Sequence, residues 1–484
     1  MGLVGNICSN KFDTLCGGRH NIYAITIHRL FNRLKDAGAE LVFFTDGPVR
    51  LEKYHRWIEG VNKRYQNSIK IIDDVDCRME FTLLVNNELS RVTSVYELLE
   101  DIARQHGSLT MALYAECDTE IAEYASKHLA VLAVLAEDSD FLIFHGNWRY
   151  FSLRSLNQNS LMIKEYNRDA LRHTLNLNYK ELACLSAIVG NDFITNANNY
   201  TQTYQKFINI AECIKRNDLT SLHNADLFAR IAKILNTVPT ESKLMQIEKS
   251  LALYDTNFKI TDLSIEKPFI HKCLQHNMRF VYNVLSGFPV NFTLHYYDLR
   301  KESISFYELV IPLFKRKIGI LYNHRCQSVV NCFVYSKLLH IQSYQLLEVS
   351  PIFSEQYVPQ LKELLFGEDN DALTDVRFDL LKEIIGISSS LDIDLKLIPK
   401  NYLIDALVLV FLVLNKVINV EEADIILFSI YKVESGEFEE KIKYPSVLEP
   451  RAFRIAMLFV KMYSNFNGAV EVVGLLNMKV NILC

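Results

Sequence analysis

Glycine and proline are scarce in this chain, at 17 and 10 of 484 residues. Folds with many short strands need these residues at their turns, so the scarcity favours helices over a many-turned all-β fold. Hydrophobic residues make up 49% and charged residues 23% of the chain, a globular composition that excludes a largely disordered protein. The length exceeds one ordinary core and predicts two or three domains.

Cysteine motifs and long apolar runs are also missing. The ten cysteines form no CxxC pair and share no metal-ligand spacing with histidines, which is typical of reduced thiols in an intracellular protein. The most hydrophobic run, 406–414, is far shorter than the roughly 20 residues of a membrane helix. No signal peptide is recognisable at the start. We expect a soluble intracellular protein whose run at 406–414 is a core helix.

The chain also lacks a surplus of basic residues. The net charge is −5, whereas most nucleic-acid-binding proteins are basic somewhere. An active site made of carboxylates would lower this sum, so a basic surface has to be sought locally.

The first 199 residues alternate helical and strand patterns, as expected of an α/β domain. We predict helices at 21–37, 50–66, 89–105, 118–128 and 179–189, and strands at 40–45, 109–114 and 131–136. Residues 200–484 predict a second, mainly α-helical domain of unknown role. Its amphipathic segments lie at 201–216, 240–254, 303–317, 327–347, 373–386, 402–418, 421–433 and 450–475.

Four short acidic motifs stand at strand ends or helix starts of the first domain. They contain Asp46 (TDGP), Asp118 and Glu120 (ECDTE), Asp138 and Asp140 (EDSD), and Asp192 (GNDF). In a parallel α/β sheet these positions share one edge, so the carboxylates would converge. Converging carboxylates repel unless a cation compensates them, and oxygen-only ligands suit Mg²⁺ or Mn²⁺.

Each motif alone is weak, because an Asp at a strand end more often caps a helix or forms a turn. Asp118 in particular could simply cap its helix. The ordered set of four favours a metal site. Two such ions about 3.5–4 Å apart would clamp the attacking water and the leaving oxygen of a phosphodiester. We therefore expect these six carboxylates to be both metal ligands and catalytic residues.

Three segments of the chain that contain these motifs resemble the Asteroid family. The segments FDTLCGGRHNIYAITIHRLFNRLKDAGAELVFFTDGP, AECDTEIAEYASKHLAVLAVLAEDSDFLIF and LACLSAIVGNDFITN match its three blocks, and flap endonucleases share the same skeleton more distantly. The resemblance implies a PIN-like, twisted and mainly parallel sheet flanked by helices. It also implies a metal-dependent, structure-specific nuclease for single-stranded, overhang or flap DNA, with RNA not excluded. The family further suggests the nucleus, rather than the cytoplasm, and DNA repair.

The chain departs from the family in two places. Met1–Gly5 could be the family's opening with the next helix and strand missing, or Val4–Asn6 could be the remnant of that strand end; either way the first catalytic Asp is absent. After Asp192 the chain lacks the glycine-rich helix-hairpin-helix of flap endonucleases. That second departure removes support for duplex recognition of that type.

The helix after Asp46 carries four candidate nucleic-acid contacts, Lys53, Arg56, Lys63 and Arg64, roughly along one face. A solvated helix face is an equally good interpretation, because Glu52 and Glu59 are interleaved. Of the aromatic residues Tyr54, Trp57 and Tyr65 in the same helix, we expect at least two in the core.

The sequence leaves two functions open. One is the Mg²⁺- or Mn²⁺-dependent nuclease, which the six ordered carboxylates favour. The other is a catalytically impaired PIN-like protein that binds nucleic acid or protein partners through its fold, which the missing Asp favours. The helical half, 200–484, would permit docking of further proteins.

Overall fold

The structure, a computed structural model, describes residues 20–84, 94–191, 194, 204–256, 267–292, 305–325, 329–335, 343–368, 370–387, 394–435 and 445–478. Within these ranges the α-helices are α1 (His20–Asp36), α2 (Tyr54–Asp76), α3 (Phe81–Leu84), α4 (Ser94–His106), α5 (Cys117–Lys127), α6 (Arg168–Leu175), α7 (Tyr179–Val189), α8 (Tyr204–Arg216), α9 (Asn224–Ile234), α10 (Glu241–Ala252), α11 (Pro268–Gln275), α12 (Arg279–Leu285), α13 (Phe306–Tyr322), α14 (Leu361–Phe366), α15 (Asp371–Ile385), α16 (Leu403–Leu414), α17 (Val420–Glu434) and α18 (Pro450–Val472).

The strands are β1 (Val42–Thr45), β2 (Ser108–Met111), β3 (Ala133–Ala136), β4 (Arg149–Ser152), β5 (Glu165–Tyr166), β6 (Val290–Asn291), β7 (Val330–Val334) and β8 (Gln345–Val349). β1 and β2 pair in parallel, and so do β3 and β4, whose other neighbour β5 is antiparallel. β7 lies between β6, which is parallel to it, and β8, which is antiparallel.

The chain divides into two compact units. The described residues of the first unit lie in 30–47 and 106–256, and those of the second lie in 20–29, 48–105 and 267–478. Contacts within the first unit continue well past residue 199, so they do not stop at the predicted domain boundary. The assignment of 1–199 as a nuclease domain stays a prediction.

Two clusters of buried side chains are seen among the described residues of the first unit. One lies around β3 and β4, where the rings of Phe144, Trp148 and Tyr150 surround Phe141. The other joins α6 and α7 to α8, α9 and α10. The guanidinium of Arg168 lies over the Trp148 ring and donates to three backbone carbonyls of 144–148, which fixes the loop before β4.

The second unit is built on α13, α16 and α18, whose apolar side chains form its main core. α16 contains the run 406–414, and most of its side chains are buried, so the predicted core helix is confirmed. In the described residues no helix is both long and apolar enough to span a membrane.

The predicted mixture of helices and strands is confirmed: the chain is α/β, with more helix than strand. The assignment of the amphipathic segment 327–347 to the helical part is wrong for its described residues, because Val330–Val334 and Gln345–Val349 are antiparallel strands with Cys332 opposite Leu347. The segment VNCFV carries the β-branched and aromatic residues that suit strands. The strand β7 is also stabilised by pairing with β6, which lies about 40 residues earlier in the chain. A local sequence pattern does not predict a pairing over that distance.

Candidate metal site

Asp46 follows the last residue of β1 and is exposed. The turn after it passes close to the end of β2: Ala112 N donates to Thr45 O at 3.0 Å. A Cβ on Gly47 would lie 1.8 Å from Ala112 O, so only glycine fits there. The Asp-Gly pair therefore holds the ends of two parallel strands together and leaves Asp46 at their shared edge.

Asp118 is half-buried and lies in the first turn of α5. The expectation that Asp118 could cap this helix is wrong: the helix begins at Cys117, and Glu116 holds the N-cap position. An acidic side chain in the first turn interacts favourably with the helix dipole.

Glu120, in the same turn, is buried, and its Oε1 accepts three backbone hydrogen bonds. The donors are the amides of Leu113 at 2.7 Å, Tyr114 at 2.5 Å and Ala115 at 2.8 Å. This carboxylate thus holds the loop between β2 and α5. Its predicted role as a metal ligand stays a prediction.

Asp138 and Asp140 follow β3. Oδ1 of Asp138 accepts the amide of Asp140 at 3.0 Å and so caps the short 3-10 helix Ser139–Leu142. The carbonyl of Asp138 accepts the hydroxyl of Tyr150 at 2.7 Å, which ties this loop to β4. Asp138 is exposed and Asp140 is half-buried.

The carboxylate of Asp118 is affected electrostatically by the other acidic residues of these segments. Burial raises the pKa of Asp118 to about 7, and the carboxylates of Asp138, Asp140, Asp46 and Glu116 contribute to that rise, in that order. Three separate pieces of chain therefore bring negative charge around one half-buried carboxylate. The thiol of Cys117 is held protonated by burial and by nearby carboxylates, which raise its pKa, so it is a poor nucleophile.

The structure adds a residue that the sequence did not suggest. Tyr254, just after α10, donates its hydroxyl hydrogen to Oδ1 of Asp140 at 2.9 Å, and Ser186 Oγ lies 2.7 Å from the same hydroxyl. Burial raises the pKa of Tyr254, and Asp140 raises it further, so the phenol stays a donor. Thr119 Oγ1 donates to Leu253 O at 2.9 Å, which fixes the same segment against α5.

The chemical type of these donors suits a hard divalent cation, because carboxylate oxygens are the ligands that such an ion prefers and its charge would offset their repulsion. In the described part of the chain, however, no three His, Cys, Asp or Glu side chains are grouped tightly enough to hold a metal ion. Asp192 lies outside the described residues. Its neighbour Asn191 donates to Ser250 Oγ at 2.6 Å, which joins the end of α7 to α10.

The predicted nucleic-acid contacts Lys53, Arg56, Lys63 and Arg64 belong to the second unit. At 100° per residue they fall within an arc of about 100° at one side of α2 and the turn before it. Arg56, Lys63 and Arg64 are exposed, and Lys53 is half-exposed. This basic face is solvent-accessible, as either interpretation of it requires.

The aromatic residues of the same helix pack inward. Tyr65 is buried, and the ring centroids of Trp57 and Tyr54 lie 4.4 and 5.1 Å from that of Phe333. The expectation that at least two of them belong to the core is confirmed.

Comparisons with known proteins show one partial similarity. The human protein called constitutive coactivator of peroxisome proliferator-activated receptor gamma is 28% identical over 181 residues, which are 37% of this chain. The matched region spans 19% of the length of that coactivator. No family model matches the chain. No solved structure matches it either.

Proposed function

We propose that this chain is a metal-dependent, structure-specific nuclease of the PIN-like, Asteroid type, which hydrolyses phosphodiesters in single-stranded or branched DNA. The observation that supports this proposal is the like-charge cluster in the first unit. Asp46, Asp138 and Asp140 act on the half-buried carboxylate of Asp118, and all four follow strands or lie in a helix first turn. A protein gains nothing in stability from such crowding unless a cation offsets it.

Mg²⁺ or Mn²⁺ would be held by Asp46, Asp118, Asp138 and Asp140, together with Glu120 and Asp192. When bound, the cation would lower the pKa of a water molecule and offset charge developing on the phosphate. The chain's own residues position these groups. Tyr254 fixes the orientation of Asp140, and the capped turn fixes that of Asp138.

The PIN-like architecture is part of the proposal. Two parallel strand pairs, β1–β2 and β3–β4, have acidic residues directly after β1 and β3, which is the arrangement that such a domain requires. The nucleus and DNA repair follow from the Asteroid resemblance. The basic face of α2, with Lys53, Arg56, Lys63 and Arg64, would bind the DNA backbone.

A second candidate is a PIN-like protein without activity that binds nucleic acid or protein partners. Two observations favour it: the partial similarity to a protein named as a coactivator of peroxisome proliferator-activated receptor gamma, and the lack of a tight ligand group within the described residues. A scaffold of this kind would bind DNA without cutting it.

The test is cleavage of labelled single-stranded, overhang and flap DNA by the full chain in Mn²⁺, with single-stranded RNA as a further substrate. The nuclease proposal expects cutting that EDTA stops and that Asp138→Asn/Asp140→Asn abolishes. Asp169→Asn is the matched control, because Asp169 is an exposed aspartate of α6 that forms an ion pair with Arg172. A folded wild type that binds these DNAs without cutting any of them would overturn the nuclease and support the scaffold.

A further inference from the structure

Helix α17 presents large apolar side chains to solvent along its whole length. Val420, Ile425, Leu427, Phe428 and Tyr431 are 62, 66, 40, 60 and 50% exposed. Their helical positions cover an arc of about 160°. The opposite side of the helix packs on the core through Ala423, Ile426 and Ile430. This helix is therefore apolar on both sides, unlike a surface helix whose outer face is polar.

The helix is firmly anchored, so the exposure does not reflect a frayed end. Asn419 and Glu422 form a capping box at its start. Arg451 Nη2 donates to Glu422 Oε2 at 2.8 Å and ties that start to α18. A capped helix that displays five apolar side chains marks an interaction surface.

The exposed face carries four polar residues. Asp424 and Lys432 form an oppositely charged pair centred on Phe428, and Glu421 and Ser435 stand seven residues before and after it. Asp424 and Lys432 stand four residues before and after it, and Ile425 and Tyr431 stand three before and after it. A two-fold axis through Phe428 would place a second α17 antiparallel to the first. Each Asp424 would then face Lys432 of the second copy, and each Ile425 would face the second copy's Tyr431. A parallel arrangement would oppose like charges instead.

We propose that α17 is a self-association surface, on which two copies of this chain pack antiparallel about a two-fold axis at Phe428. The five exposed side chains offer about 500 Å² per copy, so the dimer would bury about 1,000 Å² in total, the lower end for specific interfaces. The complex is therefore weak and concentration-dependent. This surface lies in the second unit and is independent of the metal site.

The experiment is sedimentation equilibrium of the full chain over a wide range of concentrations. Wild type dimerises, and Phe428→Glu raises the dissociation constant by about tenfold or more, because a charge enters the centre of the interface. The matched control is Tyr357→Glu, since Tyr357 is an exposed aromatic of the same unit that lies outside α17, with 73% exposure. Circular dichroism confirms that each variant is folded.

Charge reversal distinguishes self-association from binding of another molecule. Asp424→Lys and Lys432→Asp each weaken the dimer, because each opposes like charges across the two-fold axis. The double variant Asp424→Lys/Lys432→Asp restores it. The proposal is overturned if wild type stays monomeric at every concentration. It is also overturned if Phe428→Glu leaves the dissociation constant unchanged or the double variant stays as weak as the single ones.

Discussion

The hydroxyl of Tyr254 donates a hydrogen bond of 2.9 Å to Oδ1 of Asp140, joining residues 114 positions apart in the chain. Asp140 follows β3, whereas Tyr254 follows α10, so this bond ties the turn after β3 to the end of a helix well beyond residue 199. Ser186, on α7, contacts the same hydroxyl. Three distant segments thus fix the orientation of one carboxylate.

Replacing Tyr254 by Phe removes that donor and keeps the ring packed against Phe144. We expect Tyr254→Phe to lower the free energy of unfolding by about 1 kcal/mol. It should also weaken Mn²⁺ binding by roughly tenfold, since the orientation of Asp140 is no longer fixed. Urea denaturation and calorimetry measure these effects. Tyr166→Phe, at an exposed tyrosine, is the control, and equal effects in both variants would refute the positioning role.

Asp118 predicts a pH dependence of stability in the absence of metal. Its pKa is raised from 3.8 in the unfolded chain to about 7 in the folded protein. Between these values the folded state holds a proton that the unfolded state has released, so this group's contribution to stability is present at low pH and is lost as the pH rises toward 7. The scale is about 1.4 kcal/mol per pKa unit.

We therefore expect Asp118→Asn to flatten the fall in stability between pH 4 and 7, the window set by the two pKa values, and to be more stable than wild type above it. Denaturation at several pH values in EDTA measures this. Asp169→Asn should keep the wild-type profile. If Asp118→Asn retained the wild-type pH profile, the raised pKa of Asp118 would not be the cause of the fall in stability.

Glu120 allows a structural role to be separated from metal binding. Glu120→Ala leaves the amides of 113–115 without their acceptor, so we expect a loss of stability of about 3 kcal/mol or more. Glu120→Gln keeps an acceptor oxygen and should lose less. If Glu120→Gln is more stable than Glu120→Ala and still does not bind Mn²⁺, Glu120 is a ligand. If Mn²⁺ binding survives in Glu120→Gln, its role is to hold the loop.

The elements that the sequence predicts best carry their own local signals. The helix 179–189 matches α7, which begins at a capping box formed by Asn178 and Glu181. β1 is recognisable because a short apolar run ends at Asp46-Gly47. The segment 327–347 is harder to predict because its apolar spacing fits a helix, whereas its described residues Val330–Val334 form a strand that pairs with β8 and with the distant β6.

The positions of the candidate site residues in the fold are predictable to the same extent. The aspartates 46, 118, 138 and 140 stand at strand ends and a helix start, and three of them raise the pKa of the fourth, Asp118, whereas their role as a metal site stays a prediction. Tyr254 is not predictable, since its bond to Asp140 spans 114 residues and no motif surrounds it. The loop-holding role of Glu120 also depends on the three-dimensional course of residues 113–115.

The basic face of α2 predicts salt-dependent binding of single-stranded DNA. We expect Arg56→Gln/Lys63→Gln/Arg64→Gln to weaken binding of a fluorescent oligonucleotide regardless of its sequence. The slope of log affinity against log salt should fall by about 0.7 for each phosphate that is no longer neutralised. Fluorescence anisotropy measures both. Three exposed cations of the first unit give a matched control, Arg230→Gln/Lys233→Gln/Lys249→Gln. Equal losses of affinity in both variants would contradict a specific role for α2.

Calorimetric titration of the full chain with Mn²⁺ tests the metal site most directly. We predict saturable binding by wild type and by Asp169→Asn, and loss of that binding in Asp138→Asn/Asp140→Asn with the fold preserved. Unchanged Mn²⁺ binding by the double variant, or no binding by folded wild type, would contradict the assignment of this acidic cluster as a cation site.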